Sequence, residues 1–199
     1  MLNRLFPLLL TTLLLLGVAT QARAQNRPAD VRQVLEQRDR QIKALLGNKK
    51  TFTDQQREQL KDLINDNIDF EAMGRHALGP HWNGLTQAQR TDFVAVFGEI
   101  VRNQSLSDLE VYRARVTYDK VDVKGDSAFV RTTTVYKDVP TKVDYVLGLS
   151  GNQWRVEDIV LDDVSTAGGY ARSFQTVVRK RGFDALMTSL RKKLDSTRS

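Results

Sequence analysis

Two histidines and three aspartates are the residues of this chain whose side chains could do acid–base or metal chemistry. His76 and His81 flank a Gly-Pro pair, so they do not share a helical face, and no carboxylates around them complete a zinc-ligand spacing. Asp158, Asp162 and Asp163 could supply a general acid or base, but the same spacing suits solvated positions and a helix cap. The chain has no cysteine, which excludes thiolate metal sites and cysteine nucleophiles. We therefore expect no catalytic residue, no metal and no cofactor.

The N-terminal residues differ in composition from the rest of the chain. A short basic start, a Leu-rich run and the sequence Ala22-Arg23-Ala24 predict a cleaved signal peptide over residues 1–24, with Gln25 as the first mature residue. An uncleaved membrane anchor is the alternative, which the apolar run disfavours because it is shorter than the roughly 20 residues that span a bilayer. Export without cysteine predicts a location in the periplasm.

The charge of the chain limits its partners. The net charge is +6 over 199 residues, and removal of the signal peptide takes away two basic residues. The remainder is too small and dispersed to indicate nucleic acid, but it allows transient contact with anionic lipid headgroups or an acidic partner. The basic residues are concentrated in the last 30 positions, which indicates either a solvated helix face or a docking surface at a cavity mouth. They are Arg172, Arg179, Lys180, Arg181, Arg191, Lys192 and Lys193.

The first half of the mature chain has a helical period. Pro28 stands near the start of one amphipathic stretch that Gly47 ends, and a capping-box pattern at Thr53 opens a second. Asp69 is a candidate cap for a third helix, which Gly79-Pro80 must end. A second capping box at Thr86 opens the fourth helix, whose apolar stripe from Phe93 to Leu109 is the clearest in the chain.

The period changes to alternation after Tyr112. Four strands separated by short turns predict an antiparallel meander, with a bulge near Asp119-Lys120. Helical spacing returns from Ser165 to the end, interrupted at Gly182, while Gly168-Gly169 is a candidate hinge for the tail helix or a place of close packing. Residues 25–199 thus predict one α+β domain, in which amphipathic helices wrap a curved four-stranded antiparallel sheet. Its apolar stripes could be simple core or could line a cavity.

Four stretches of sequence carry a specific resemblance. They are Ile68 to Trp82, Leu85 to Arg90 followed by Phe93 and Phe97, Trp154 to Ser165, and Tyr170 to Leu186. In this order they resemble the MlaC-type periplasmic phospholipid-binding proteins, also called the toluene-tolerance family, over nearly the whole mature chain. The stretch Arg102 to Leu106 departs from the Tyr-Ala pair that many members carry in the fourth helix.

The resemblance implies a fold and a function. The fold is a cone like that of nuclear transport factor 2 (NTF2-like) with extra helices, holding acyl chains inside. The function is that of a monomeric shuttle, not an enzyme, which carries phospholipid between an outer-membrane lipoprotein complex and an inner-membrane ABC transporter and so maintains outer-membrane lipid asymmetry. Relatives linked to hopanoids share the architecture, so a polycyclic lipid is an alternative cargo.

A lipid cavity is expected between the fourth helix, the inner face of the sheet and the tail helix, where the apolar stripes are strongest. The expected lining residues are Met73, Phe93, Phe97, Ile100, Val101, Tyr145, Leu147, Leu149, Tyr170, Phe174 and Val178. Two other hypotheses stay open. One is an exported enzyme with the same cone that uses Asp158 or His76, and the other is an interaction module whose apolar stripes are only core.

Overall fold

Six α-helices and five strands make up the computed structural model, which describes residues 27–197. The helices are α1 (Pro28–Leu46), α2 (Asp54–Asn65), α3 (Phe70–Leu78), α4 (Gln87–Ser105), α5 (Thr166–Arg181) and α6 (Phe183–Thr197). Short 3-10 helices cover Gly79–Gly84 and Leu109–Arg113. The strands are β1 (Arg115–Lys124), β2 (Ser127–Tyr136), β3 (Val139–Ser150), β4 (Gln153–Leu161) and β5 (Val164–Ser165). The predicted signal peptide at residues 1–24 lies outside the described residues, in which no helix is long and apolar enough to cross a bilayer.

The helix boundaries follow from the capping residues that the sequence analysis singled out. The Thr53 hydroxyl accepts a hydrogen bond from the Gln56 N–H at 3.2 Å, and the Gln56 side chain accepts one from the Thr53 N–H at 3.1 Å. Thr86 and Gln89 repeat this reciprocal arrangement at the start of α4. The Asp69 carboxylate caps α3 by accepting from the Ala72 N–H at 2.9 Å. The predicted starts of these three helices are confirmed.

All five strands pair antiparallel with their chain neighbours, in the order β1-β2-β3-β4-β5. The predicted four-stranded meander is confirmed, and the short β5 extends it at one edge. The register shifts at Asp119 in β1, as predicted, and again at Glu157 in β4, which the sequence analysis did not predict. Each bulge bends its strand, so the sheet curves and stays open.

One face of the sheet is turned toward the helices, and we call it the inner face. Its residues lie in cross-strand rows, because directly opposite partners share a face. Leu147 pairs with Ala128 and Val156 in a fully packed row. The next row holds Tyr145 with Val121, Val130 and Ile159, and the row beyond it holds Tyr118 with Thr132, Val143 and Leu161.

The apolar core of the described chain is divided into two clusters. The main cluster lies between the inner face and helices α3 to α6, around Phe93, Phe97 and Leu147. A second, smaller cluster joins α1, α2 and the second 3-10 helix through Ile42, Leu46, Leu60 and Leu109. The boundary between the two runs across α1, which contributes Val31 and Leu35 to the main cluster, and the smaller cluster reaches Leu106 just after α4.

Candidate functional site

The eleven expected lining residues all belong to the main cluster or pack against it, but they divide into two groups. Six are buried: Met73, Phe93, Phe97, Ile100, Leu147 and Phe174. Five are only partly buried: Val101, Tyr145, Leu149, Tyr170 and Val178. In the structure as it stands the first group is packed core, so only the second group faces accessible space. Sequence periodicity does not separate the two, since both lie on the same stripes.

An aromatic cluster joins α4 to α5 within the main core. The Phe93 and Phe97 rings stack with their centroids 5.5 Å apart, and Phe174 meets both rings edge-on at 6.0 and 5.7 Å. Tyr170 lies edge-on to Phe97 at 4.9 Å, and its hydroxyl donates a hydrogen bond to the Gln104 side chain at 2.7 Å. Aromatic pairs in these orientations stabilise the packing beyond their buried area. The cluster therefore closes the α4–α5 side of the core.

Three partly buried tyrosines lie at the boundary between the two apolar clusters. Tyr118 and Tyr145 project from the inner face and pack against the main cluster, while Tyr112 packs against the smaller one. Burial raises the pKa of Tyr145 and of Tyr112 to about 12, and it raises the pKa of Tyr118 as well. Yet all three side chains keep accessible surface. The three tyrosines are therefore largely covered by protein but still reach the surface, and we call the accessible surface that they share the tyrosine hollow.

A strip of exposed apolar residues lies at one end of the same face. Val139, Leu161 and Val164 are 60%, 48% and 57% exposed. Leu161 pairs with Val143 and with Val164 in the row of Tyr118, and Val139 lies on β3 in phase with Tyr145. All three therefore belong to the inner face, at the row of Tyr118 or beyond it. We call these three residues the apolar rim. It gives the inner face an open, apolar end next to the tyrosine hollow.

The two hairpin turns at the rim are formed without glycine. Lys137 and Asp138 join β2 to β3, Asp162 and Asp163 join β4 to β5, and all four have positive φ angles between 44° and 66°. Such angles are unfavourable for a side chain as long as that of Lys137 and more tolerable for aspartate. The Asp162 carboxylate is held in place because it accepts a hydrogen bond from the Lys142 N–H at 3.0 Å. The rim is thus edged by two tight, charged turns.

Three of the basic C-terminal residues lie at the end of α5 that is far from the apolar rim. Arg179, Lys180 and Arg181 form the last turn of α5, whereas the rim residue Val164 directly precedes its first turn. At 1.5 Å per residue the two ends of α5 are roughly 22 Å apart. The structure therefore does not support the expectation that these residues line an opening at the rim, and positive charge in the last turn stabilises the helix itself.

The candidate acid–base residues do not form a catalytic arrangement. Asp158 accepts hydrogen bonds from the Ser165 hydroxyl and from the N–H groups of Ile159 and Ala167, so its carboxylate is used to hold the start of α5. His76 is exposed on α3. Within residues 27–197 no group of three or more His, Asp or Glu side chains could hold a metal ion.

Two surface grooves lie outside the expected site. One, of about 480 Å³, runs between Asp62, Asp69 and Arg102, and the other, of about 570 Å³, between Asp30, Gln37 and Gln153. Both also contact Asp66 and Arg155. Neither groove is lined by any of the eleven expected residues, and their charged walls are unsuited to acyl chains.

Sequence reasoning missed several residues of this region. Tyr118 could have been found, because it alternates in phase with Val116 on the predicted first strand. Tyr112 could not, since it lies in a 3-10 helix that has no periodic signal. The rim residues Leu161 and Val164 have the same pattern as core residues, and only the strand pairing shows that they lie at an open end.

The comparisons with known proteins agree with the fold. A model of the MlaC protein family matches residues 21–192. Among solved structures, a phospholipid-binding protein from Ralstonia solanacearum, determined in complex with a phospholipid, superposes with a TM-score of 0.72. The two chains are 23% identical, and the match covers 86% of this chain and 98% of that one. At this identity the likeness establishes a shared fold. No curated protein matches the sequence.

Proposed function

Because the chain belongs to the MlaC family, we propose that it is a phospholipid carrier of the periplasm. It takes phospholipid from one membrane system, encloses the acyl chains and delivers them to another. The partners implied by the family are an outer-membrane lipoprotein complex and an inner-membrane ABC transporter, with transient membrane contact during exchange. In this role the monomer maintains outer-membrane lipid asymmetry, and with it solvent tolerance, without a catalytic group or a cofactor.

The observation that carries the proposal is the tyrosine hollow beside the apolar rim. If the apolar residues of this chain served only as core, we would expect helices to cover the inner face to the end of the sheet. Here Tyr145 and Ile159 keep accessible surface, and Leu161 and Val164 are exposed on the same face. An apolar surface of this kind, left open in one place, is typical of a binding site for an apolar ligand.

The energy of the cargo explains why an enclosure is needed. Two acyl chains of roughly fifteen methylenes each would cost on the order of 24 kcal/mol to expose to water, at about 0.8 kcal/mol per methylene. A lipid therefore crosses an aqueous compartment only when protein covers most of this surface. The inner face and the partly buried residues of α4 and α5 supply such a covering.

The structure also indicates how the ligand would enter. Acyl chains pass the rim at Leu161 and reach the row of Tyr145 and Ile159, two residues or roughly 7 Å further along the strand. Beyond it Leu147 and Phe97 are fully buried, so the chains must part the packed core to go deeper. We expect the core to part at the boundary between the two apolar clusters.

The experiment that tests the proposal is an analysis of the lipid that co-purifies with the protein. The full chain is expressed with its N-terminal segment, purified without detergent, and examined by native mass spectrometry and by organic extraction. A phospholipid bound in stoichiometric amount is expected. An extract without lipid would favour the interaction module, and a polycyclic lipid would favour the alternative cargo.

A matched pair of variants locates the site in the same experiment. Ile159 and Val160 are neighbours on β4 that are both partly buried, but they face opposite sides of the sheet. Ile159→Gln places an amide in the hollow and is expected to lose most of the bound lipid. Val160→Gln makes the same kind of change on the outer face and should retain it. Equal retention by two folded variants would contradict this location of the site.

A further inference from the structure

Two phenol hydroxyls project from the apolar inner face. Tyr145 lies on β3 and Tyr118 on β1, in adjacent cross-strand rows with only β2 between them. The two groups are close enough to influence each other's ionisation. Their rows are otherwise aliphatic, apart from the buried Thr132. A pair of polar atoms thus lies within a surface that otherwise suits hydrocarbon.

Neither hydroxyl is satisfied by the protein. In the part of the chain that the structure describes, no group hydrogen-bonds to the hydroxyl of Tyr118 or Tyr145, whereas the Tyr170 hydroxyl donates to Gln104 and the Thr132 hydroxyl donates to the Val143 carbonyl. Neither hydroxyl oxygen is fully buried, so each still reaches solvent. A ligand that displaces this water must offer acceptor atoms, because a hydroxyl that is desolvated without a hydrogen bond is costly. Two such groups side by side in an open hollow indicate a ligand with acceptor oxygens.

The charged groups near the pair keep both phenols in their neutral form. Asp39 and Glu36 of α1 raise the pKa of Tyr118 further, while Arg32, whose guanidinium lies 5.3 Å from the centre of the ring, lowers it. Asp39 also raises the pKa of Tyr145. Both hydroxyls are therefore proton donors at neutral pH, and they match an uncharged acceptor better than a cation or another donor.

The depth of the two tyrosine hydroxyls below the opening determines which oxygen atoms of a phospholipid they reach. Tyr118 lies in the row of the rim residue Leu161, and the row of Tyr145 lies roughly 7 Å further inside. A phosphate is charged and stays in water at the opening, since burying it unpaired is prohibitive. The ester groups that join the acyl chains to glycerol come directly below the phosphate, and their carbonyl oxygens are neutral acceptors.

We propose, on the basis of the carrier function above, that the hydroxyls of Tyr118 and Tyr145 donate hydrogen bonds to the ester carbonyl oxygens of the bound phospholipid. The pair then acts as a specificity determinant. It favours ester-linked diacyl lipids over ether-linked or purely hydrocarbon cargo, which would leave two donors without partners. It also fixes how deeply the glycerol backbone enters, and therefore how much of each acyl chain is covered.

The test compares two lipids and three proteins. Delipidated wild type, Tyr118→Phe/Tyr145→Phe and the control Tyr136→Phe are titrated with dipalmitoyl phosphatidylglycerol and with its dihexadecyl ether analogue, in competition with a fluorescent phospholipid. The control removes a phenol hydroxyl from the same face at the tip of the β2–β3 hairpin, where Tyr136 pairs with the rim residue Val139 two rows beyond Tyr118 and lies next to Lys137. Wild type and control are expected to prefer the ester by about tenfold, and the double variant is expected to lose that preference by weakening ester binding alone.

Each other outcome is informative. If wild type binds both lipids equally well, the ester assignment is overturned whatever the variants do. If the double variant weakens ester and ether equally, the acceptor is a phosphate oxygen and the proposal is wrong in that respect. If wild type binds neither lipid, it is the carrier function that fails. Thermal melting of each variant, and the two single variants if needed, separate loss of binding from loss of folding.

Discussion

The Asp158 carboxylate accepts a 2.5 Å hydrogen bond from the Ser165 hydroxyl, seven residues further along the chain. The same carboxylate accepts bonds from the N–H groups of Ile159 and Ala167, both at 2.9 Å. The Ser165 oxygen in turn accepts a bond from the Gly168 N–H at 2.8 Å and caps α5. These contacts fasten the β4–β5 hairpin, and with it the apolar rim, to the start of the tail helix.

Asp158→Ala is expected to lower the free energy of unfolding by about 2–3 kcal/mol, because it leaves two N–H groups and a hydroxyl without their acceptor. Asp163→Asn is the control, since asparagine keeps the tolerance for the positive φ angle at this position. The exposed Asp163 carboxylate makes only a 3.5 Å contact with Lys142, so losing its charge should change the free energy of unfolding by less than about 0.5 kcal/mol. Urea denaturation measures both. A stable Asp158→Ala protein that has lost a hydrolytic activity would instead favour the enzyme hypothesis.

Phe97→Ala should destabilise the fold by about 3–5 kcal/mol, because the ring is fully buried against Phe93, Tyr170 and Phe174. A matched pair on β3 is Leu147→Ala, which should cost about 2–5 kcal/mol because Leu147 is fully buried, and Leu149→Ala, which should cost about 1 kcal/mol because Leu149 is only partly buried. Chemical denaturation of these variants checks the division of the expected lining residues into packed and accessible ones. Equal costs within the matched pair would show that this division is wrong.

The rim variant Val139→Ser/Leu161→Ser/Val164→Ser should slow lipid transfer to acceptor vesicles several-fold without changing the lipid content at equilibrium. The three side chains are exposed, so their loss should change stability little. The comparison variant is Arg179→Gln/Lys180→Gln/Arg181→Gln, at the far end of α5. If the basic variant slows transfer in a salt-dependent way and the rim variant does not, docking occurs through the basic residues instead.

Stability should fall steeply between pH 10 and about pH 12. The pKa values of Tyr112 and Tyr145 are raised to about 12 in the folded protein, while an unfolded tyrosine ionises near pH 10. The folded state therefore holds these protons in a range where the unfolded state has released them, and stability is lost as pH rises through that range. Denaturation at several pH values, with Tyr145→Phe as comparison, should show a shallower fall for the variant.

The two glycines at the start of α5 should behave differently when changed to alanine. A Cβ at Gly168 would lie 2.9 Å from the Ser165 hydroxyl, whereas a Cβ at Gly169 would only reach the Arg172 guanidinium at 3.9 Å. Gly169→Ala is thus expected to raise stability by about 1 kcal/mol through helix propensity, and Gly168→Ala to lower it. If Gly169 is a hinge, its variant will also exchange lipid more slowly. Unchanged exchange would leave only the packing role.

The parts of this structure that are encoded locally could be predicted from the sequence. The capping boxes at Thr53 and Thr86, the cap at Asp69 and the alternation of the strands each act within a few residues, so reading the chain was sufficient. The bulge at Asp119 was visible as a change of phase. The bulge at Glu157 had no such signal. The Glu157 side chain lies over Gly148 of the neighbouring strand, where a Cβ atom on residue 148 would collide with it, and this contact is visible only once the two strands are paired.

The functional residues were less predictable for a physical reason. Hydrophobicity indicates that a side chain avoids water, but not whether protein or cargo covers it. Phe97 and Val101 lie on one stripe of one helix, yet only the first is fully packed. Leu161 looked like any strand residue until its position beyond the last covered row was known. Whether an apolar residue is packed core or accessible surface depends on contacts between elements that are distant in the sequence.

The bulge at Asp119 also bears on how a protein with an exposed apolar rim avoids self-association. β1 is a terminal strand of the sheet, and such a strand can recruit another chain by backbone pairing. The bulge interrupts the regular spacing of its N–H and C=O groups, and Arg115, Lys120 and Lys124 place exposed charges along it. These features discourage the addition of strands from other chains at the β1 edge. Exposed apolar surface that can associate is therefore confined to the apolar rim, where lipid exchange requires it.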